Sequence, residues 1–172
     1  ATPDGAPIAW MLRRQGFADQ RRISGPDLMW AMCRLCEQEQ IAICCYGSTE
    51  STLAMLNTRL HAAFPNLTIG DMASPPFRDL TDVEDAAAVD RINASTAGVV
   101  FVGLGCPKQE RWMAEHRGRV NAVMIGVGAA FMTEDAVKSV LGDLPLPKDI
   151  VTGLLANAKN VQDVDGIIRV PV

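Results

Sequence analysis

Three apolar runs in this chain stop at a glycine. Ile41-Ala42-Ile43-Cys44-Cys45-Tyr46 ends at Gly47, Gly98-Val99-Val100-Phe101-Val102 at Gly103, and Ala122-Val123-Met124-Ile125 at Gly126. None alternates apolar with polar residues, so both faces of each strand must be covered. Strands of this kind belong to parallel sheets with helices on both sides. The segments between them supply those helices. The spacing predicts helices over 7–15, 27–39, 50–63, 82–94 and 107–116, and strands over 41–46, 67–69, 98–102 and 122–125. Ile8, Met11 and Leu12 mark an inward face on the first helix, and Leu28, Met29, Ala31, Met32 and Leu35 a broad one on the second. Thr81-x-x-Glu84 is a capping box. The methionines at 11, 29, 32, 55, 113 and 124 fall on apolar faces and read as core. The expected fold class is α/β, a Rossmann-like, mostly parallel sheet with helices on both faces.

At 172 residues this is one domain's worth of chain. A formal net charge of −4 gives no basic field, so nucleic acid is not an expected partner. No apolar run approaches the roughly 18 residues of a membrane span. Of five cysteines, Cys33 and Cys36 form a lone CxxC, while Cys44 and Cys45 are adjacent and would point to opposite faces of a strand. No second ligand pair stands near them, so the expectation is buried thiols, with no metal site and no disulfide. Beyond about residue 130 the pattern weakens. Helices near 133–141 and 149–160 and a Pro-rich turn at Pro145 and Pro147 add no further strand–helix unit.

The strand ends carry the chemistry. Ligands of open parallel sheets bind beyond the carboxyl ends of the strands. The stretch "VGLGCPKQERW" lies at such an end. Gly103 and Gly105 permit close approach and positive φ. Pro107 suits a first helical turn, and the helix start with Lys108 favours an anion. Gln109 can both donate and accept, as a base or sugar edge requires, and Glu110 adds a carboxylate. The structural alternative is a tight turn with a solvated Lys-Gln-Glu. Neither a full dinucleotide fingerprint nor a Walker loop is present, since Lys108 occupies the third glycine position of the one and no Gly-Lys-Ser/Thr exists for the other. Gly47, Gly126 and Gly128 mark two more strand ends. Asp4, in an Asp-Gly turn before a helix, is a plain turn residue or a general base. Asp27, before the second helix, is a cap or a ligand contact.

Taken in order, "PDG" at 3–5, "RRISGPDLM" at 21–29, "YGSTE" at 46–50, "FPNLTIGDMASPPF" at 64–77, "INASTAGVVFVGLGCPKQERWMAEH" at 92–116 and "AVMIGVGAAF" at 122–131 resemble the WecG/TagA/CpsF family of bacterial glycosyltransferases. The resemblance covers about three-quarters of the chain, and its Gly-Pro-Lys-Gln-Glu block is the most specific part. It implies inverting transfer, with no cofactor or essential metal. An N-acetylhexosamine-type sugar, N-acetylmannosamine first, would move from a UDP-sugar to an undecaprenyl-diphosphate-linked acceptor in cell-surface polysaccharide synthesis. Asp4 would match the family aspartate proposed as general base, and Gln109 with its neighbours the donor-binding edge. The implied setting is the cytoplasm, with peripheral contact at the inner face of the plasma membrane and self-association both open. The family's early strand and Thr-Asn motif would precede residue 1. At Phe131-Met132-Thr133-Glu134 the sequence leaves the family's Asp and Arg-Ala-Pro run, dividing the chain into a glycosyltransferase-like domain, 1–132, and a divergent tail, 133–172. That tail has six acidic residues (Glu134, Asp135, Asp143, Asp149, Asp163, Asp165) against four basic ones, so it is expected to bind anionic lipid weakly. Two other classes stay open: a non-catalytic nucleotide-sugar- or partner-binding domain, and a NAD-dependent oxidoreductase, which the incomplete fingerprint disfavours.

Overall fold

A computed structural model describes residues 6–19 and 22–131 of the chain. The expectations for Asp4 and for the tail lie outside those residues. Helix α1 (Ala6–Arg14) and helix α2 (Gly25–Gln38) come first. Strand β1 (Ile43–Gly47), helix α3 (Glu50–Ala63), strand β2 (Ile69–Ala73) and helix α4 (Asp82–Ala94) follow. Strand β3 (Val99–Gly103), helix α5 (Lys108–Glu115), strand β4 (Val123–Gly126) and a 3-10 turn (Gly128–Phe131) complete the order. The four strands are all parallel, in the order β2-β1-β3-β4.

Successive side chains of a strand enter opposite faces, and here each face has its own core. Ile43, Cys45, Val99 and Phe101 join Leu28, Met32, Leu53 and Leu60 from α2 and α3 on one side. Cys44, Tyr46, Val100 and Val102 join Val89, Ile92 and Trp112 from α4 and α5 on the other. The unbroken apolar runs of β1 and β3 are therefore the two central strands of a three-layer α/β sandwich, as their sequence requires. The helix starts use the caps their residues offer. The Oγ atoms of Ser24, Thr49 and Thr81 accept from the backbone N–H groups of Asp27, Thr52 and Glu84, and both the Ser24–Asp27 and Thr81–Glu84 pairs close capping boxes.

β2 differs from expectation. The sequence places it at 67–69, yet the ladder runs from Ile69 to Ala73. Its register against β1 slips at Gly70, so that Ile43 faces Ile69 but Cys44 faces Asp71. A glycine and an aspartate look like a loop. On this sheet-flanking strand the glycine sits at the irregularity, and Arg91 of α4 binds Asp71 at 2.6 Å.

The thiols are mostly buried: Cys33, Cys36, Cys44 and Cys45 lie in the core, whereas Cys106 is exposed, contrary to expectation. Burial pushes Cys36 and Cys44 up to about 12 and raises Cys33 and Cys45 as well, so these four remain protonated and unreactive. Two of the expected core methionines also face outward: Met11 and Met55 are exposed, while Met29 and Met32 are fully enclosed.

β1 and β3 end side by side, Gly47 opposite Gly103. Gly47 has φ +128°, and a Cβ there would stand 2.5 Å from the Gly103 carbonyl oxygen. Both strain and overlap act against any side chain. Gly47→Ala is expected to cost about 2–4 kcal/mol. Gly16→Ala, also at positive φ but with nothing within 4 Å, should cost clearly less. Urea unfolding of the two variants followed by circular dichroism checks the ranking.

Candidate functional site

The chain leaves β1 toward β2 on one side and returns through α4 to β3 on the other, so the strand order reverses between β1 and β3. A crevice opens there, at the carboxyl ends, where open α/β sheets take ligands. It holds about 290 Å³ and is lined by Ser48, Thr49, Phe77, Gly105, Lys108 and Phe131, among others. Ser48 stands in the left-handed region at φ +65°. Its carbonyl oxygen accepts from Ser74 Oγ at 2.7 Å, and its own buried hydroxyl has no hydrogen-bond partner among the described residues. Phe77, 83% exposed on the loop after β2, offers a bare aromatic face at the mouth.

The glycines at this edge divide by function. A Cβ on Gly103 would lie 2.5 Å from the Phe131 ring, and one on Gly126 would lie 2.9 Å from the Gln109 amide and from the Met113 methyl. These two, like Gly47, make room for the protein itself. Gly105 and Gly128 are different. Their φ values are +79° and +58°, and nothing stands within 4 Å of where a Cβ would be. They alone, of the five called from sequence, combine left-handed backbone with open space at the strand ends.

The polar residues of the turn also separate. Cys106–Pro107 is a cis peptide, and Pro107 stands at the N-cap rather than inside the first turn. Gln109 is buried. Its Oε1 accepts from the Gly128 N–H at 3.0 Å, and its Nε2 donates to Glu110 Oε1 at 3.0 Å. The amide thus clips the β3–α5 turn to the end of β4, and Glu110 completes that clip. Lys108 is exposed and makes no ion pair among the described residues, leaving its ammonium for an anion at the start of α5. Asp27 accepts from the Ser24 N–H and Oγ in the capping box, the Oγ at 2.6 Å. That box fixes the start of α2 beside β4, where a Cβ on Gly25 would meet the Val127 carbonyl at 2.5 Å.

Next to the crevice lies a larger hollow of about 720 Å³, sharing Pro75, Pro76, Phe77, Leu104 and Lys108 with it. Its floor is a stack that the sequence reading missed. The Tyr46 and Trp112 rings lie 4.6 Å apart, and those of Trp112 and His116 4.1 Å. His116 is 2% exposed. Its Nδ1 faces the Trp112 carbonyl oxygen and its Nε2 the Asp85 carboxylate, each at 2.7 Å. Both ring nitrogens thus face oxygen atoms. Arg119 completes the group at 2.8 Å from Asp85. Burial pushes the Asp85 carboxyl up, but hydrogen bonds from Arg119 and His116 outweigh it and hold it below the ordinary range. Burial, with Asp85 nearby, pushes Tyr46 up to about 12. No sequence signal joins Asp85 to His116, which are 31 residues apart. Among the described residues no group of three or more His, Cys, Asp or Glu side chains converges as a metal site.

Comparison with known proteins places the chain in a family. The description "Glycosyl transferase WecG/TagA/CpsF family" matches residues 1–134. An N-acetylglucosaminyldiphosphoundecaprenol N-acetyl-beta-D-mannosaminyltransferase of Bacillus spizizenii is 30% identical over 130 residues, 75% of this chain and 49% of that protein. The identically named protein of Staphylococcus aureus is 28% identical over 128 residues, 74% of this chain and 48% of its own length. The chain spans about half the length of these relatives.

Replacing Gln109 by Leu leaves the Gly128 N–H without its acceptor. The expected loss is about 1–3 kcal/mol of stability, with faster amide exchange at Gly128 than at the β1 and β3 amides. Hydrogen exchange followed by NMR checks both the size and the location.

Proposed function

Since the chain belongs to the WecG/TagA/CpsF family of glycosyl transferases, we propose that it transfers an N-acetylmannosamine-type sugar from a UDP-sugar to an undecaprenyl-diphosphate-linked acceptor, as the names of its relatives suggest. The observation that carries this reading is the open turn from Gly105 to Lys108, placed at the switch point of the sheet. A diphosphate needs backbone it can approach, a positive end of a helix and a cation. Gly105, the start of α5 and Lys108 offer these within one turn of chain. Gly128 gives similar open space at the end of β4, and Phe77 gives a face on which a base can stack.

Within this reading the remaining candidates take supporting parts. Gly103, Gly126, Gln109 and Glu110 hold the two strand-end loops in place, Gly47 closes β1 against β3, and Pro107 and Asp27 set the starts of α5 and α2. Asp4 is the proposed base: a carboxylate within reach of the acceptor hydroxyl would take its proton as the new glycosidic bond forms, while UDP departs with the electron pair of the broken bond. The domain boundary near residue 132 belongs to the same proposal. No helix among the described residues is long and apolar enough to cross a membrane, so a lipid-linked acceptor would be met at the membrane surface.

Thermal shift with UDP and UDP-sugars tests the crevice. A ligand at a hundred times its Kd adds about 2.7 kcal/mol of stability. A Gly105→Val protein should keep its circular-dichroism spectrum and lose that shift. Unchanged UDP affinity in the folded variant would remove the turn from the site. Turnover with a lipid-diphosphate-sugar analogue then separates a transferase from a binding domain. In an active protein, Asp4→Asn should lower kcat about 10²–10⁴-fold with little change in donor Kd. Retained kcat would exclude Asp4 as the base.

A further inference from the structure

Helix α1 is amphipathic in the wrong sense for a helix packed on a core. The sequence pattern puts Ile8, Met11 and Leu12 on an inward face. In the structure Ala9 is the buried residue, at 1% exposure, and Leu12 is half-buried, whereas Ile8, Trp10, Met11 and Phe17 are 50–54% exposed. Ile8 and Met11 are three residues apart and share one side of the helix, and Phe17 extends the apolar surface just past its end. The helix ends on Arg13 and Arg14. Arg14 lies 4.3 Å above the Trp10 ring, and neither arginine has a carboxylate partner among the described residues. Three other arginines do meet carboxylates, in the pairs Arg78–Glu84, Arg91–Asp71 and Arg119–Asp85.

We infer that α1 is a membrane-docking helix, which lays Ile8, Trp10, Met11 and Phe17 into the interface of an anionic phospholipid bilayer with Arg13 and Arg14 against its headgroups. Charge decides the occupant. A nine-residue helix with an indole, aliphatic side chains and two arginines that have no carboxylate partner among the described residues has the make-up of a helix lying in a lipid interface. The indole suits the headgroup level, where its ring is half in hydrocarbon and its N–H can meet water or phosphate. A second copy of this chain would bring the same two arginines to the contact, like charge against like. The chain's formal charge of −4 would otherwise repel an anionic surface, so attraction must come from a local patch of this kind. The inference rests on the lipid-linked acceptor proposed above, and it gives the membrane contact a place on the N-terminal helix.

The chain carries its own reporter. Of its three tryptophans, Trp30 and Trp112 are buried and Trp10 is exposed. The full chain should show a blue shift of tryptophan emission when vesicles of phosphatidylcholine containing phosphatidylglycerol are added at physiological salt. Pure phosphatidylcholine vesicles should give a much smaller one. Met11→Ser with Ile8→Ser keeps Trp10 and should weaken vesicle partitioning roughly tenfold or more. Arg13→Gln with Arg14→Gln should remove the preference for the anionic lipid. All these variants should retain the UDP thermal shift, so a failure of donor binding and a failure of docking are read separately. No blue shift on anionic vesicles overturns the inference. So does a lipid-independent blue shift that grows with protein concentration alongside a doubled mass in light scattering, which would assign the surface to a second copy.

Discussion

The contact between Gly47 and Gly103 is the constraint on which the rest of the structure turns. Two backbones meet there with no space for even one methyl group between them. The contact lets β1 and β3 keep their pairing to the last residue, and past it the chains part in opposite directions. One goes through Ser48 into α3, the other through Leu104 and Gly105 into α5. A crevice with a bare backbone wall is the necessary result. Had either strand ended on a side chain, the two turns would be pushed apart and the floor of the crevice would be filled.

From that point the edge is built as a linked set rather than as separate loops. Phe131 fills the space left by Gly103, and Gln109 joins the turn after β3 to the end of β4. Ser74 ties the loop after β2 to Ser48. The ends of β3 and β4 are therefore held together by one ring contact and one hydrogen bond, and those of β1 and β2 by another hydrogen bond. The parts left open, Gly105, Gly128, Lys108 and Phe77, stand on a frame whose geometry is already fixed. This is what a site needs if it is to hold a flexible diphosphate without losing its own order on each binding event.

Much of this was legible in the sequence. Uninterrupted apolar runs such as "ICCY" and "VVFV" can only be central strands, and the Thr81–Glu84 capping box marks a helix start, whereas the cap read at Asp27 is made by Ser24, with Asp27 three residues on. β2 was read short because Gly70 and Asp71 look like loop, and only the pairing with Arg91 explains their place in a strand. The site was legible as a set of residues but not as a set of roles. Spacing cannot tell a glycine that admits a ligand from one that admits a phenylalanine ring, and Gln109 shows its acceptor only when β4 is in place. The Tyr46–Trp112–His116–Asp85 group was invisible because it is assembled from three elements far apart in sequence. The outward face of α1 was misread for a related reason. Periodicity reveals that a helix has an apolar side, but not which way that side points.

The distribution of thiols has a practical consequence. Four cysteines are sealed in the two cores and held protonated, whereas Cys106 is exposed between Gly105 and Pro107, inside the very turn at issue. Under native conditions an alkylating probe is therefore directed to a single position. A nitroxide or fluorophore attached there would sit at the lip of the crevice without any engineered cysteine and without removal of a native one. The four sealed thiols become a clock for global opening: their labelling begins only when the sandwich comes apart. One reagent applied to the unmodified chain thus reads local motion of the turn and unfolding of the sheet on two separable timescales.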